Sequence, residues 1–195
     1  MSIVRNILAV IGLLAVIGAA ALYPTYAEYR DKLGRLDPNA IDVYHEMFDK
    51  LVETGSMAEA TTWKAKVADG LTADDVAQSM RSVAVEVNMR DVGSLPLGQQ
   101  VEAMTGEGWR VLGIYMYCKP LTAAEMIEYD VAFSAYLPCR VTLVEDETGQ
   151  LWVYTLNMDL MIYGGREMPP EMKQTAIEVK EKILEIMNRG AEGAF

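Results

Sequence analysis

The sequence predicts the α+β class, a small sheet with helices layered on it, preceded by one N-terminal transmembrane helix. The transmembrane helix is predicted because no side chain from Ile7 to Tyr23 is charged or strongly polar. The sheet and its helices are predicted because, beyond residue 60, apolar side chains recur first at period two and then at helical spacing, in the order βαβαβαββα. The length of 195 residues, less the anchor, suits one domain with one core.

Composition excludes several classes of function. The formal net charge of -11 and a pI near 4.6 would repel nucleic acids, so no nucleic-acid partner is expected. Two cysteines and one histidine are too few for zinc-finger spacings or a histidine-rich metal site. The sequence contains no Walker, G-x-G-x-x-G, G-x-S-x-G or H-E-x-x-H motif. We therefore assign no catalytic, cofactor-binding or metal-binding residues, and expect a binding protein rather than an enzyme.

The N-terminal run is long enough to cross a bilayer, since about 20 helical residues span the hydrocarbon core. We assign residues 1–30 to a membrane anchor of signal-anchor type, with residues 7–26 in the membrane. The alternative is a cleavable signal peptide with Thr25 and Ala27 at its cleavage site. The apolar run, however, exceeds the roughly 7 to 15 residues of a typical signal-peptide core.

Charges around the anchor give conflicting indications of its orientation. Three basic residues follow the helix and only Arg5 precedes it, which favours a cytoplasmic domain by the positive-inside rule. Nearby acidic residues neutralise much of that charge, and a very short N-terminal tail usually stays in the cytoplasm while the long domain is exported. We therefore expect a single-pass protein whose soluble domain is extracytoplasmic.

Residues 31–59 are predicted to form a helical linker segment. Asp37 and Pro38 are typical of a helix start, and apolar side chains then recur at helical spacing, so one face of a helix ending near Glu53 should pack. These apolar side chains are Ile41, Tyr44, Phe48 and Leu51. His45 lies beside them and is expected to face solvent or form a hydrogen bond, because no second histidine could help it bind a ligand.

The domain of residues 60–195 is predicted to begin with a half-buried strand from Thr62 to Val67. The Thr72-x-x-Asp75 motif is typical of a helix cap, and a helix with apolar residues through Val87 should follow. The stretch from Val83 to Met89 also alternates as a strand would, but the helical period covers more residues.

Strands and helices then alternate to the C-terminus. The predicted elements are an extended segment at Asp91 to Leu97, a helix at Gly98 to Met104, a buried strand at Trp109 to Tyr117, a helix at Thr122 to Tyr129, and a hairpin of strands Arg140 to Glu145 and Leu151 to Asn157. A final helix is predicted to open at Pro169 and Pro170 and to end at Gly190.

Several short motifs resemble the domain of unknown function 302 family, over about Ala60 to Phe195. The most specific are the Tyr117-Cys118-Lys119-Pro120 corner and the Leu137-Pro138-Cys139-Arg140 start of the hairpin. The stretch Val144-Glu145-Asp146-Glu147-Thr148-Gly149-Gln150-Leu151-Trp152 and the Met161-Ile162-Tyr163-Gly164-Gly165 loop before the Pro169-Pro170 helix match too. The acidic helical segment Asp37 to Met57 lies outside the family pattern.

The resemblance implies a compact α+β domain that pairs as a homodimer through its sheet. Members of the family often carry a membrane anchor in bacteria with sulfur-based or respiratory energy metabolism. We therefore expect the bacterial inner membrane as the location, with a periplasmic domain. The family has no agreed activity, so the resemblance implies neither a mechanism nor a cofactor, and the cofactor stays unknown.

The cysteine pair is the strongest candidate site. Cys118 follows one predicted strand and Cys139 precedes the next, so neighbouring strands would bring both sulfurs to one sheet edge. Three interpretations stay open: buried free cysteines, a disulfide in an oxidising compartment, or a thiol redox or soft-metal site. Cysteine and the methionines Met158, Met161, Met168 and Met172 could together bind Cu(I), but thirteen methionines in an apolar chain are mostly core fillers.

Two functional hypotheses follow. The first is a membrane-tethered, non-enzymatic accessory or binding subunit of a bacterial membrane complex in respiratory or sulfur energy metabolism. An anchor joined to a compact domain without an acid–base constellation favours it. The alternative is a thiol redox or sulfur-handling protein that uses Cys118 and Cys139. The acidic run Glu145 to Glu147 lacks the further ligands of a calcium loop and indicates a solvated turn.

Overall fold

The computed structural model describes residues 2–194, which form helices and one sheet. The helices are α1 (Ser2–Leu33), α2 (Ala40–Thr54), α3 (Met57–Ala60), α4 (Ala73–Glu86), α5 (Leu97–Thr105), α6 (Pro120–Tyr129), α7 (Asp159–Tyr163) and α8 (Pro170–Glu192), with a 3₁₀-helix at Val131–Tyr136. The strands are β1 (Thr62–Lys66), β2 (Arg90–Leu95), β3 (Leu112–Cys118), β4 (Cys139–Glu145) and β5 (Leu151–Leu156).

The five strands form one antiparallel sheet in the order β1-β5-β4-β3-β2. The predicted hairpin, β4 with β5, therefore lies at the centre of the sheet. One face of the sheet is covered by α4 and α8, and Val141, Leu143 and Val153 on that face are fully buried. Ile183 of α8 is also fully buried in this core. The predicted α+β class, with helices layered on a small sheet, is confirmed.

The N-terminal helix is the apolar element that the sequence predicts. Its Ile3–Pro24 segment has 22 residues and a mean hydropathy of 2.4, and none of it is buried. By length and composition this segment is a candidate membrane span. The helix continues past Pro24 to Leu33, so the polar end of α1 extends a few residues beyond the predicted anchor of residues 1–30.

The predicted packing of α2 is wrong. Ile41 is 70% exposed, Tyr44 46% and Phe48 58%, so most of the predicted packing stripe faces solvent. The face turned inward instead carries Ala40, Val43, Met47 and Leu51. Both sets recur at helical spacing, so periodicity alone could not distinguish the packed stripe from the exposed one.

The linker joins the domain through Asp37, which is buried. Its backbone N–H donates to the Gly165 carbonyl at 2.9 Å, and its carboxylate accepts hydrogen bonds from Lys173 and from the Asn39 N–H. Burial alone would raise the pKa of Asp37, but the hydrogen bonds from Lys173 and Asn39 outweigh it, and the pKa is lowered. The anchor therefore connects beside the start of α8.

Capping motifs and short-range periodicity in the sequence predicted most helices and strands correctly. The Thr72 hydroxyl accepts a hydrogen bond from the Asp75 N–H at 3.2 Å, and the Asp75 carboxylate accepts the Thr72 N–H at 2.9 Å, which is the predicted capping box. Many boundaries shift by one to three residues; for example, β3 begins at Leu112 rather than Trp109, and α8 ends at Glu192 rather than Gly190. Helices α3 and α7 and the 3₁₀-helix were not predicted, because each is too short to show a period.

Candidate functional site

The two cysteines lie at the same end of the sheet. Strands β3 and β4 pair so that Tyr117 stands opposite Cys139, and Cys118 is the next residue along β3. Because successive strand residues point to opposite faces, Cys118 leaves the strand away from the face that carries Cys139. The two strands are neighbours, but the register places the two side chains one residue apart and on opposite faces, so the expected cysteine pair finds no support.

Both cysteines line one cavity of about 40 Å³. The cavity lies beyond the ends of β3 and β4, where α6, the 3₁₀-helix and the start of α7 close over the sheet. Its lining is mostly apolar and includes Phe133 and Tyr136 of the 3₁₀-helix. Both cysteines border this cavity, although their side chains leave the strands toward opposite faces of the sheet.

The environment of the thiols keeps them protonated. Burial raises the pKa of the Cys139 thiol to about 11, and the nearby Cys118 raises it further while Arg140 lowers it. Burial also raises the pKa of the Cys118 thiol. Since the thiolate is the nucleophile, both cysteines are weak nucleophiles at neutral pH. Both are free, so the disulfide interpretation finds no support here.

The thiol redox hypothesis stays a prediction. It requires reactive thiols, and the rate of alkylation measures the reactivity of each cysteine. We expect Cys139 to resist iodoacetamide in the native fold at pH 8 and to react as the pH approaches about 11, because only the thiolate attacks. The more accessible Cys118 should react first. Mass spectrometry of both cysteine peptides gives the rates, and the denatured chain is the control. Fast labelling of Cys139 at pH 8 would contradict the environment described above.

The methionines divide between the cavity and the core. Met158 and Met161 line the cavity, together with Met126 from α6, which the sequence did not single out. Met168 is buried in the core away from this lining, and Met172 packs at the edge of the core. Met126 follows Thr122 by four residues on the buried face of α6, and that spacing is the signal that could have identified it.

His45 and the acidic hairpin turn are placed as the sequence predicts. The His45 ring lies 3.2 Å from Asp49 on the exposed side of α2. The Asp146 carboxylate accepts hydrogen bonds from Thr148 and from the Trp152 indole, which completes the hairpin turn. Within residues 2–194, no group of three or more histidine, cysteine or acidic side chains could hold a metal ion.

A second feature is the face of the sheet opposite α4 and α8, which we name the open face. Pairing in register places Thr142 of β4 between Ile114 of β3 and Tyr154 of β5, and Val144 between Leu112 and Trp152. The helix that packs on β4 and β5 is α8, on the other face. Helix α5 contacts β3, but among the described residues no helix packs on the β4 and β5 part of this face.

The open face is basic at its margin although the chain is strongly acidic. Lys64 and Lys66 of β1 pair with Tyr154 and Trp152, and Arg140 of β4 shares their face. The Lys64 ammonium lies 5.5 Å from the centre of the Trp152 ring. Lys64 and Lys66 already form exposed ion pairs with Glu59 and Asp69, so among the described residues Arg140 is the basic side chain of this margin without an acidic partner. An acidic partner would pair with Arg140 and exchange for the other two ion pairs.

The comparisons with known proteins concern the part of the chain that forms this sheet. The family described as "Domain of unknown function DUF302" matches residues 63–190, more than half of the chain. The chain belongs to the DUF302 family. The resemblance seen in the sequence motifs is thereby confirmed. No curated protein matches the chain in sequence.

A solved structure supports the same fold. The DUF302 domain is similar to the crystal structure of an uncharacterized conserved DUF302 protein from Bacillus stearothermophilus, with a TM-score of 0.54 and 11% sequence identity. The similarity covers 66% of this chain and 97% of that chain. At this identity the likeness shows the fold alone, so the cavity and the open face are interpreted from this chain's own residues.

Proposed function

We propose that the protein is a membrane-tethered, non-enzymatic binding subunit that docks through the open face of its DUF302 sheet. The observation that carries this proposal is an apolar sheet face centred on Thr142, Ile114 and Tyr154, whose β4 and β5 part no helix of the described residues covers. Monomeric soluble proteins rarely expose contiguous apolar patches of more than a few hundred Å². The candidate span Ile3–Pro24 supplies the tether.

A second copy of the chain is the occupant that this surface favours. Helix α2 exposes Ile41, Phe48 and Val52 beside a row of acidic residues. These acidic residues are Asp42, Glu46, Asp49 and Glu53. An apolar, acidic helix complements an apolar face with a basic margin. Lys50 of α2 borders the same small pocket as Tyr154, so α2 flanks the open face and could reach over a partner's sheet.

The size of the surfaces agrees with pairing that uses both. Five strands about 4.8 Å apart and six residues long give a face of about 24 Å by about 20 Å, or about 480 Å². A stable interface buries about 800 Å² on each partner. The sheet alone falls short of this area. The exposed side of α2, about 22 Å by about 10 Å, adds about 220 Å² and brings the total to about 700 Å² on each protomer. Both surfaces are therefore needed in a symmetric dimer.

Replacing Thr142 by glutamate tests the docking face. Thr142 lies at its centre, so dimerisation would bury an unpaired charge and should weaken about 100-fold or more. The neighbouring Arg140 and Lys64 lie on the same face and should tolerate the carboxylate in the free protomer. Analytical ultracentrifugation in mild detergent measures the equilibrium.

Thr105→Glu is the matched control, because it adds the same charge at an exposed position at the end of α5, outside the strands of the open face. It should leave the dimer intact. Equal behaviour of Thr142→Glu and Thr105→Glu would rule out the open face as the docking surface.

The wider setting is also part of the proposal. We place the protein in the bacterial inner membrane, with the domain periplasmic and associated with a membrane complex of respiratory or sulfur energy metabolism. Protease added to intact spheroplasts should trim the domain and spare the anchor. Protection until lysis would reverse the orientation. Co-purification from native membranes in mild detergent tests for the larger complex, and a dimer without other subunits would limit the function to self-association.

A further inference from the structure

We propose that the cavity between α6, the 3₁₀-helix and the ends of β3 and β4 is a binding site for a single thiophilic metal ion, Cu(I). Five sulfur-bearing side chains line this one cavity. They are Cys118, Cys139, Met126, Met158 and Met161. The cavity lies beyond the ends of β3 and β4, and the proposal does not depend on docking at the open face.

The donors come from four separate elements, so the fold and not the sequence brings them together. Cys118 and Cys139 belong to the ends of adjacent strands, Met126 to α6, and Met158 and Met161 to the turn that leads into α7. Thiolate and thioether sulfurs are the soft ligands that select Cu(I). The sequence alone favoured core filling for these methionines, and that remains sufficient for Met168, which does not line the cavity.

The size and polarity of the cavity suit a bare ion. A volume of about 40 Å³ holds about three waters at the roughly 10 to 15 Å³ that each requires. The oxygen-bearing side chains of the lining are Thr122, Tyr136, Thr155 and Asn157. No carboxylate of the described residues lines the cavity, so it lacks the charged oxygen ligands that hard cations prefer. Sulfur ligands and an apolar wall together favour a soft monovalent ion over Mg²⁺ or Ca²⁺.

The charges also balance. Binding of Cu(I) by both cysteines releases two thiol protons to solvent and leaves a bis-thiolate complex with a net charge of about -1. Lys119 lines the cavity next to Cys118, and Arg140 follows Cys139 closely enough for its charge to act on that thiol. These two cations would stabilise the anionic complex. Neither the protein nor the ion changes oxidation state in this step.

A route into the site exists through Cys118. Besides the cavity, Cys118 lines a wider surface pocket bordered by Met89, Arg90 and Leu121. It is therefore the one cysteine with access to both sides, and it can accept an ion from solvent before Cys139 and the methionines complete the site.

Competition with the Cu(I) chelator bathocuproine disulfonate tests the proposal on the full chain in detergent, reduced and under anaerobic conditions. We expect one Cu(I) per chain, with X-ray absorption showing a coordination sphere of sulfur only. Cys118→Ser and Cys139→Ser should each weaken binding at least about tenfold, and Met158→Leu and Met161→Leu should weaken it measurably.

Met168→Leu and Met104→Leu are the matched controls, because neither methionine lines the cavity. Both should bind as the wild type does. Far-UV circular dichroism identifies any variant that fails to fold. No uptake by the folded wild type, nitrogen or oxygen ligands in its absorption spectrum, or equal losses in the cavity and control variants would overturn the proposal.

Discussion

Ile183→Ala is expected to lower the free energy of unfolding by about 2–5 kcal/mol. Ile183 lies on α8 with 0% exposure and packs in the core against the sheet. Truncation removes buried apolar surface and leaves a cavity, because the strands beneath cannot collapse into the space. Urea denaturation in mild detergent, followed by tryptophan fluorescence, gives the change from the shift in midpoint at constant slope.

Ile41→Ala is the matched control for this measurement. Ile41 is an isoleucine in a helix with an equally regular apolar pattern, but it is 70% exposed on α2. Measured in the Thr142→Glu background, where α2 meets no partner, its replacement should change the unfolding free energy by less than about 0.5 kcal/mol. A loss as large as that of Ile183→Ala would mean that α2 packs through the stripe that the sequence first indicated, against the orientation found here.

Asp37→Ala is expected to cost about 3 kcal/mol and to release the linker from the domain. The Asp37 side chain is fully buried, and the Lys173 side chain that donates to it is only 19% exposed. Removing the carboxylate leaves the ammonium without its closest partner, since Glu167 lies 3.7 Å away and is largely exposed. Limited proteolysis between α1 and α2 reports the release, and urea denaturation reports the energy.

The pH dependence of the unfolding free energy is a second test of the contact between Asp37 and Lys173. The pKa of Asp37 is lowered in the folded state, so its contribution is complete above the ordinary aspartate pKa of about 3.9 and is lost as the pH falls below that value. The wild type should therefore lose more stability than Asp37→Ala in this acid range.

Asp69→Ala removes an exposed ion pair with Lys66 and should cost less than about 1 kcal/mol. Equal losses of unfolding free energy for Asp37→Ala and Asp69→Ala would show that Asp37 does not bind the linker to the domain.

Much of the fold follows from local chemistry. The Thr72 capping box, the hairpin turn at Asp146 and the alternating β1 pattern each depend on neighbouring residues, so the sequence predicted them correctly. The orientation of α2 depends on contacts with a distant part of the chain, such as the hydrogen bond from the Tyr44 hydroxyl to the Gly164 carbonyl. Periodicity contains no information about such contacts.

The candidate site was predictable only in part. The sequence placed Cys118 and Cys139 at strand ends, which is correct, but it could not give the register that starts their side chains toward opposite faces. The cavity they share requires α6 and the 3₁₀-helix to fold back over the sheet end, which brings Met126 to the lining. The open face likewise depends on sheet order and register, since only these place Ile114, Thr142 and Tyr154 in one row.

The mass of the full chain in mild detergent tests the central claim, docking through the open face, most directly. The chain has a mass of 21.6 kDa, and multi-angle light scattering subtracts the bound detergent. We predict a particle of two protomers for the wild type and of one protomer for Thr142→Glu. A wild-type particle with the mass of one protomer, and no partner co-purifying from the membrane, would contradict the account.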